Sequence, residues 1–175
     1  MQYGVAVKCL ETPISAEDVA ALRAGDIIRL SGTIYCGRDA VLPRICRMLE
    51  DGTAKSAGLD FSGSVMFHTA VSPAGIGPTS SNKVEIEGSF ATLSAAGLKM
   101  HLGKGAISPE TVAVLERYGA IYAVIPPVTA LLGSKTSHVE VAAFPELGME
   151  ALYKVKVDGY EAIVAAAHGK SIYDR

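Results

Sequence analysis

The sequence segment that decides the fold is AGDIIRLSGTIYCGRDA, residues 24–40. Its apolar, β-branched stretch over residues 27–35 predicts one or two β segments, punctuated at Ser31-Gly32. Residues 39–50 then predict a helix that stops at Gly52. Arg38 therefore lies at a strand-to-helix junction, where unpaired backbone N–H groups and a guanidinium together form a candidate anion seat.

Short strand-like and helix-like pieces alternate on both sides of this segment. Helices are predicted over residues 15–24, where Ser15 and Asp18 suggest a capping box, over 85–96, and from Ser108-Pro109 to Gly119. The predicted strands are residues 3–10, 65–70, 98–102, 121–125, 139–143 and 152–157, and residues 71–81 are expected to be a long loop. Residues 1–175 are accordingly expected to form one α/β domain of layered sheet and helices.

Composition excludes several classes of function. The chain has 175 residues, of which 49% are hydrophobic and 19% charged, and a formal net charge of -2. This charge provides no basic field for a phosphate backbone, so no nucleic-acid partner is expected. Apolar runs fall short of the roughly 20 residues that span a bilayer, and the N-terminus lacks the pattern of a secretory signal. The expectation is a cytoplasmic protein with no membrane partner.

Cysteines and histidines do not suggest a metal site within the chain. Cys9, Cys36 and Cys46 are odd in number and lack Cys-x-x-Cys spacing, which disfavours a disulfide framework or a zinc site. The histidines also lack metal-ligand spacing, and structural or surface roles are expected for all of them: His68, His101, His138 and His168. His101 is the one closest to a candidate binding residue, Lys104.

Three cationic side chains stand in loops or junctions rich in small residues. Arg38 lies in Gly-Arg-Asp, Lys83 follows GPTSSN at residues 77–82, and Lys104 lies in Gly-Lys-Gly. Each could contact a carboxylate or a phosphate, although any one of them alone could be a solvated surface charge. The order of residues matches neither of the common glycine-rich nucleotide-binding motifs, so a nucleotide site is not predicted.

Five sequence pieces, in this order, resemble the class I fumarases and the related tartrate dehydratases. They are AGDIIRLSGTIYCGRDA (24–40), GPTSSNKVE (77–85), HLGKGAI (101–107), YGAIYAVIPP (118–127) and PELGMEAL (145–152). The resemblance is to the C-terminal domain of the single-chain enzymes, which in other members is a separate β subunit.

The resemblance implies a swivelling β/β/α domain that contributes half of an active site. Members hydrate fumarate to malate or dehydrate tartrate with a [4Fe–4S] cluster, whose unique iron acts as a Lewis acid and whose cysteines belong to the other domain or subunit. The resemblance therefore implies that this chain forms a hetero-oligomer with a cluster-bearing α subunit and that its substrate is a small dicarboxylate. The expected catalytic residues are Thr79 and Lys104, and the expected substrate-binding residues are Arg38, Thr79, Lys83 and Lys104.

Fumarate is the leading expectation for the substrate, and several alternatives stay open. A threonine hydroxyl is a poor base, so Thr79 would need a neighbouring carboxylate, or it would only hold the turns of its loop. Lys83 stands where the family usually has arginine, and Leu42 and Pro126-Pro127 replace its histidine and paired glycines. These departures are compatible with tartrate, with another hydroxy-dicarboxylate, or with a dicarboxylate-binding module that has lost catalysis.

Overall fold

A computed structural model describes residues 6–73, 75–76, 87–125 and 129–174. Two short 3-10 helices, Lys55–Ala57 and Pro145–Glu150, accompany the main elements. The described helices are α1 (Ala16–Ala20), α2 (Leu42–Asp51), α3 (Phe90–Ala95), α4 (Pro109–Tyr118) and α5 (Thr129–Ser134). The described strands are β1 (Val7–Glu11), β2 (Ile27–Gly37), β3 (Val65–His68), β4 (Val71–Ser72), β5 (Gly75–Ile76), β6 (Met100–Gly103), β7 (Ile121–Val124), β8 (Thr136–Ala143), β9 (Leu152–Ala167) and β10 (Lys170–Ser171). This is a mixed α/β fold, as the sequence predicts.

The strand pairings close into a ring. Strands β1, β2, β3, β6 and β7 are neighbours in that order and are parallel to one another. The long strand β9 runs antiparallel to both β7 and β2, so that β2, β3, β6, β7 and β9 form a closed circle. Strands β8 and β10 add to β9 in antiparallel fashion. Because the ring is closed, each of these five strands has a strand neighbour on both sides, and few of their backbone N–H and C=O groups are left unpaired.

Side-chain alternation divides the ring into an apolar interior and a helix-covered exterior. The interior cluster includes alternate residues of the ring strands, namely Ile34, Cys36, Val65, Phe67, Met100, Leu102, Ile121, Ala123, Val155 and Val157. Their neighbours in sequence, such as Tyr35, Met66 and Tyr122, point to the other side and pack in separate clusters with the helices. Each large apolar side chain buried here contributes roughly 1.5 to 3 kcal/mol to the free energy of unfolding.

Local sequence explains most helix boundaries. The hydroxyl of Ser15 accepts a hydrogen bond from the Asp18 amide, and the Asp18 carboxylate accepts one from the Ser15 amide, which forms the predicted capping box. Ser108 caps α4, which ends at Gly119 in the left-handed conformation as expected. Helix α1 ends at Ala20, earlier than predicted, because the carboxylate of Asp26 accepts a hydrogen bond from the Arg23 amide and stabilises a turn.

The prediction for β9 was too short. It continues past residue 157 to Ala167, although Asp158-Gly159 looks like a turn. Gly159 has a positive φ of 72°, and its amide donates to the hydroxyl of Ser31 at 2.9 Å. The register between β2 and β9 shifts at the same place, between Leu30 and Gly32, so the two glycines lie at an irregularity that both strands share.

Residues 71–72 and 75–76 also differ from the predicted long loop. They pair in antiparallel fashion as β4 and β5, and the side chains of Val71 and Ile76 are buried in the interior cluster. Two apolar residues in an otherwise loop-like stretch therefore cover one end of the ring. Among the described residues, no helix is both long and apolar enough to cross a membrane.

Candidate functional site

The carboxyl ends of the parallel strands meet at one edge of the ring. Gly37 at the end of β2 aligns with His68 at the end of β3, and Gly103 at the end of β6 aligns with Val124 at the end of β7. In open α/β sheets, ligands bind outside this edge, because loops and helix starts converge there. The same edge of this ring is therefore the candidate site.

The first residues beyond these strand ends include two of the predicted cations. Arg38 follows β2 and Lys104 follows β6, and Thr69 follows β3 between them. The Thr69 amide donates to the carbonyl of Gly37 at 3.0 Å, which continues the alignment past the strand ends. Since neighbouring strands lie about 4.8 Å apart, the backbones at Arg38 and Lys104 are about 10 Å apart. Two cationic residues therefore lie on the same edge of the ring, two strand spacings apart.

A carboxylate from a short 3-10 helix lies near Arg38. The Nε atom of Arg38 lies 3.8 Å from Oε1 of Glu150, the last residue of Pro145–Glu150. Glu146 in the same helix pairs instead with Arg44 at 3.1 Å. Glu150 is thus the member of the PELGME segment that lies next to a candidate binding residue. Because both partners are partly exposed and the separation is longer than a hydrogen bond, this pair contributes little to stability.

A hydrogen bond from Tyr122 supports the loop that carries Lys104. The Tyr122 hydroxyl donates to the carbonyl of Gly105 at 3.0 Å, and Gly105 has a positive φ of 77°. A Cβ atom at Gly103 would lie 3.1 Å from the same hydroxyl, so a side chain there would displace the tyrosine. Burial raises the pKa of Tyr122, which keeps its hydroxyl protonated as a donor. Lys104 itself is exposed at the tip of this loop.

Two buried histidines lie under the site edge on the helix-covered face. Nε2 of His68 is 3.0 Å from Nδ1 of His101, and Nε2 of His101 is 3.0 Å from the hydroxyl of Ser94. Phe90 stacks on His101 with a centroid separation of 3.9 Å. Burial lowers the pKa of His68 to about 3 and also lowers the pKa of His101 well below its usual value. Both rings are therefore neutral near pH 7, and the structural role expected from the sequence stays a prediction.

The remaining predicted site residues lie outside the described part of the chain. Thr79 and Lys83 belong to the segment 77–86, and Pro126-Pro127 are also outside it. The described residue that follows the segment 77–86 is Glu87, whose carboxylate accepts a hydrogen bond from the Ser108 amide at 2.6 Å.

The described residues do not fit an iron–sulfur cluster. No group of three or more His, Cys, Asp or Glu side chains among them could hold a metal ion. Cys36 is buried in the ring interior, where burial raises its thiol pKa, whereas Cys9 on β1 is exposed. Binding of anionic groups by the edge residues is the chemistry that this chain's own side chains support.

Sequence reasoning missed the supporting residues of the site. Tyr122 lies inside a predicted strand, and Thr69 lies inside the predicted strand 65–70, one residue beyond the end of β3. The signal that could have found Thr69 is the alignment of parallel strand ends, which places the residues after Gly37, His68 and Gly103 in one row.

Fold and site together define a class of protein: a mixed α/β domain that carries cationic side chains just beyond the carboxyl ends of its parallel strands. Comparison with known proteins identifies the family, since residues 3–175 match the family described as Fumarase C-terminus, and the chain belongs to it.

Several named proteins are similar over most of the chain. One is the putative L(+)-tartrate dehydratase subunit beta of Methanocaldococcus jannaschii, 31% identical over 92% of this chain and 88% of the relative. Another is the L(+)-tartrate dehydratase subunit beta of Escherichia coli K12, 28% identical over 94% of this chain and 86% of the relative. The putative class I fumarate hydratase of Geobacillus stearothermophilus is 27% identical over 94% of this chain but only 33% of its own length.

Removing the Tyr122 hydroxyl should loosen the Lys104 loop. Tyr122→Phe deletes the hydrogen bond to Gly105, so we expect the free energy of unfolding in urea to fall by about 1 kcal/mol. Amide hydrogen exchange around residues 103–106 should speed up. Tyr118→Phe, at the last residue of α4, is the control and should change neither quantity. Unchanged exchange in Tyr122→Phe would contradict the assigned support.

The buried histidines should make stability fall on acidification. Their pKa values are depressed in the folded state, so below the unfolded pKa of about 6.5 only the unfolded chain takes up these protons. The free energy of unfolding should therefore drop as pH falls from about 6.5 towards 3, by up to about 1.4 kcal/mol per pH unit for each histidine.

Urea titrations at several pH values check this expectation. The double variant His68→Gln, His101→Gln should show a flatter dependence on pH over the same window. His138→Gln, at a solvent-exposed histidine, should keep the slope of the unsubstituted protein. An equal slope in the double variant and the unsubstituted protein would show that other groups control the pH dependence.

Proposed function

We propose that this chain is a β-type subunit of a hydro-lyase that adds water to, or removes it from, a four-carbon dicarboxylate. The leading reaction is the reversible hydration of fumarate to malate. The observation that carries the proposal is the position of Arg38 and Lys104 on one strand edge, two strand spacings apart. Membership of the fumarase C-terminus family supports the same reaction class.

The charge arrangement suits the chemistry of such a substrate. Loss of the proton next to a carboxylate builds further negative charge on that carboxylate in the transition state. Fixed cations aimed at it stabilise the transition state more than the ground state and so lower the barrier. In this proposal Arg38 and Lys104 bind the carboxylates, with Glu150 and Tyr122 holding their surroundings in place.

Thr79 and Lys83 complete the proposed site as a proton-transfer group and a further substrate-binding cation. A nearby carboxylate would have to activate the Thr79 hydroxyl, because a threonine alone is a weak base near neutral pH. The iron–sulfur cluster belongs, in this proposal, to a larger α subunit, and no step assigned to the present chain depends on it. A swivelling movement of this domain against the α subunit and a cytoplasmic location complete the proposal.

Tartrate dehydration is the second candidate. It is favoured by the similarity, over 88% and 86% of their lengths, to two proteins named as L(+)-tartrate dehydratase β subunits. The two reactions differ by one substrate hydroxyl, and the same pair of cations can bind either dianion.

Turnover by a reconstituted pair tests the proposal. The chain is co-expressed with the α subunit of its own organism, purified without oxygen, and assayed for loss or formation of fumarate absorbance and for tartrate dehydration. We expect turnover by the pair and none by either chain alone. Activity of this chain alone, or a cluster-loaded pair inactive on both compounds, would contradict the proposal. Binding of a dicarboxylate without turnover would instead favour a binding module.

The contribution of Lys104 can be measured against a matched lysine on the same strand. Lys104→Ala should lower kcat/KM of the pair at least about tenfold, equivalent to about 1.4 kcal/mol of transition-state stabilisation. Lys99 precedes β6 at its opposite end, so Lys99→Ala should leave kcat/KM within about twofold. Equal effects of the two substitutions would remove Lys104 from the site.

A further inference from the structure

Strand β8 and the 3-10 helix that follows it expose an apolar surface. The side chains of Val139, Val141 and Met149 are 47%, 46% and 54% exposed, and they belong to the small set of large apolar side chains that the described residues expose. Val139 and Val141 alternate along β8 and so lie on one of its sides. Single exposed apolar residues are ordinary, but exposed apolar residues that share one side of a strand, as Val139 and Val141 do, often mark an interaction site.

The opposite side of β8 is charged. His138 and Glu140 lie there, with Nε2 of the histidine 3.5 Å from Oε2 of the glutamate. Among the described residues β8 has β9 as its strand neighbour on one side and none on the other. The strand therefore offers one apolar side, one solvated side and an open edge.

This apolar surface borders the candidate site on the Arg38 side. Tyr153 of β9 pairs with Cys36 of β2 on one side and with Val141 of β8 on the other, so these three residues form one row. Two strand spacings separate Cys36 from Val141, about 10 Å. Met149 immediately precedes Glu150, whose carboxylate lies 3.8 Å from Arg38.

The distances determine which partner covers the surface. A stable protein interface buries about 800 Å² on each side, which corresponds to a round patch about 16 Å in radius. A subunit that brings a reacting group against Arg38 and Lys104 must cover their surroundings over a comparable radius. Val141 and Met149 lie within that radius of Arg38, whereas the charged side of β8 faces away and suits the solvated rim.

We propose that the apolar side of β8, with Met149, is the docking surface for the α-type subunit of the hydro-lyase. The inference rests on the proposed function, since it takes the reacting group to come from that subunit. The partner surface that fits is an apolar patch next to the mouth of its own active site. A second copy of this chain would bring only another pair of cations to the edge.

Charge substitutions on the surface test the docking site directly. Val141→Glu and Met149→Glu are made separately, and the dissociation constant of each variant for the purified α subunit is measured by sedimentation or interferometry. Each should weaken the complex at least about tenfold, because a carboxylate would be buried in an apolar contact. The kcat at saturating α subunit should change less than about twofold for Val141→Glu, because this side chain does not contact the substrate.

Val7→Glu provides the matched control. Val7 is 39% exposed and pairs with Ile27, at the opposite end of β2 from Arg38. The substitution should therefore leave the dissociation constant unchanged. Thermal unfolding of all three variants checks that each is folded.

The outcomes separate the docking site from the proposed function. An active complex whose affinity is unchanged by Val141→Glu and by Met149→Glu would overturn the docking site and leave the function intact. A dimer of this chain alone that Val141→Glu dissociates would assign the surface to a second copy and also overturn the proposal. Absence of both complex formation and turnover with the unsubstituted chain would overturn the proposed function, and the docking site with it.

Discussion

The antiparallel pairing of β9 with both β2 and β7 is the constraint on which the rest of the structure depends. One strand of sixteen residues must pair with two strands that β3 and β6 separate in the parallel array. A regular strand of this length would not follow both, and the irregularity at Gly32 and Gly159 lets β9 bend between them. At Gly32 the backbone has a φ of 110°, and a Cβ atom would collide with Thr12. Closure of the ring thus relies on two glycines with positive φ, and at Gly32 a side chain would also clash.

Ring closure in turn aligns the strand ends that form the site. The parallel register carries Gly37, His68, Gly103 and Val124 to one edge, where backbone direction alone brings Arg38, Thr69 and Lys104 into a row. The surroundings differ on the two sides of this row. A carboxylate lies near Arg38, whereas the Tyr122 hydroxyl binds the Gly105 carbonyl next to Lys104. Both cationic residues directly follow strand ends, which determines where their backbones lie.

The sequence predicted structural features well where they depend on residues close together in the chain. The capping box at Ser15 and the serine cap of α4 depend on residues three apart, and both are present. The length of β9 could not be predicted from local patterns, because the sequence Asp158-Gly159 is typical of a turn. Its place inside a strand depends on contacts with distant residues, such as the hydrogen bond from the Gly159 amide to the Ser31 hydroxyl. The hairpin at Val71 and Ile76 was missed for the same reason, since burial against a distant ring determines it. Sequence motifs singled out Arg38 and Lys104. That both lie at one edge of the ring follows only from the register of the parallel strands β2, β3 and β6.

The charge balance of the edge explains why the proposed site needs a partner. Glu150 lies near Arg38, and among the described residues no ion pair involves Lys104. In the proposed function, these two cations, whose backbones lie about 10 Å apart, attract a dianion. Cations in open water bind such a ligand weakly, because solvent screens their field. In the proposed complex, the α subunit would cover the edge, lower the local dielectric and strengthen both contacts. The exposure of Lys104 and of the apolar residues beside Arg38 would then have one physical reason.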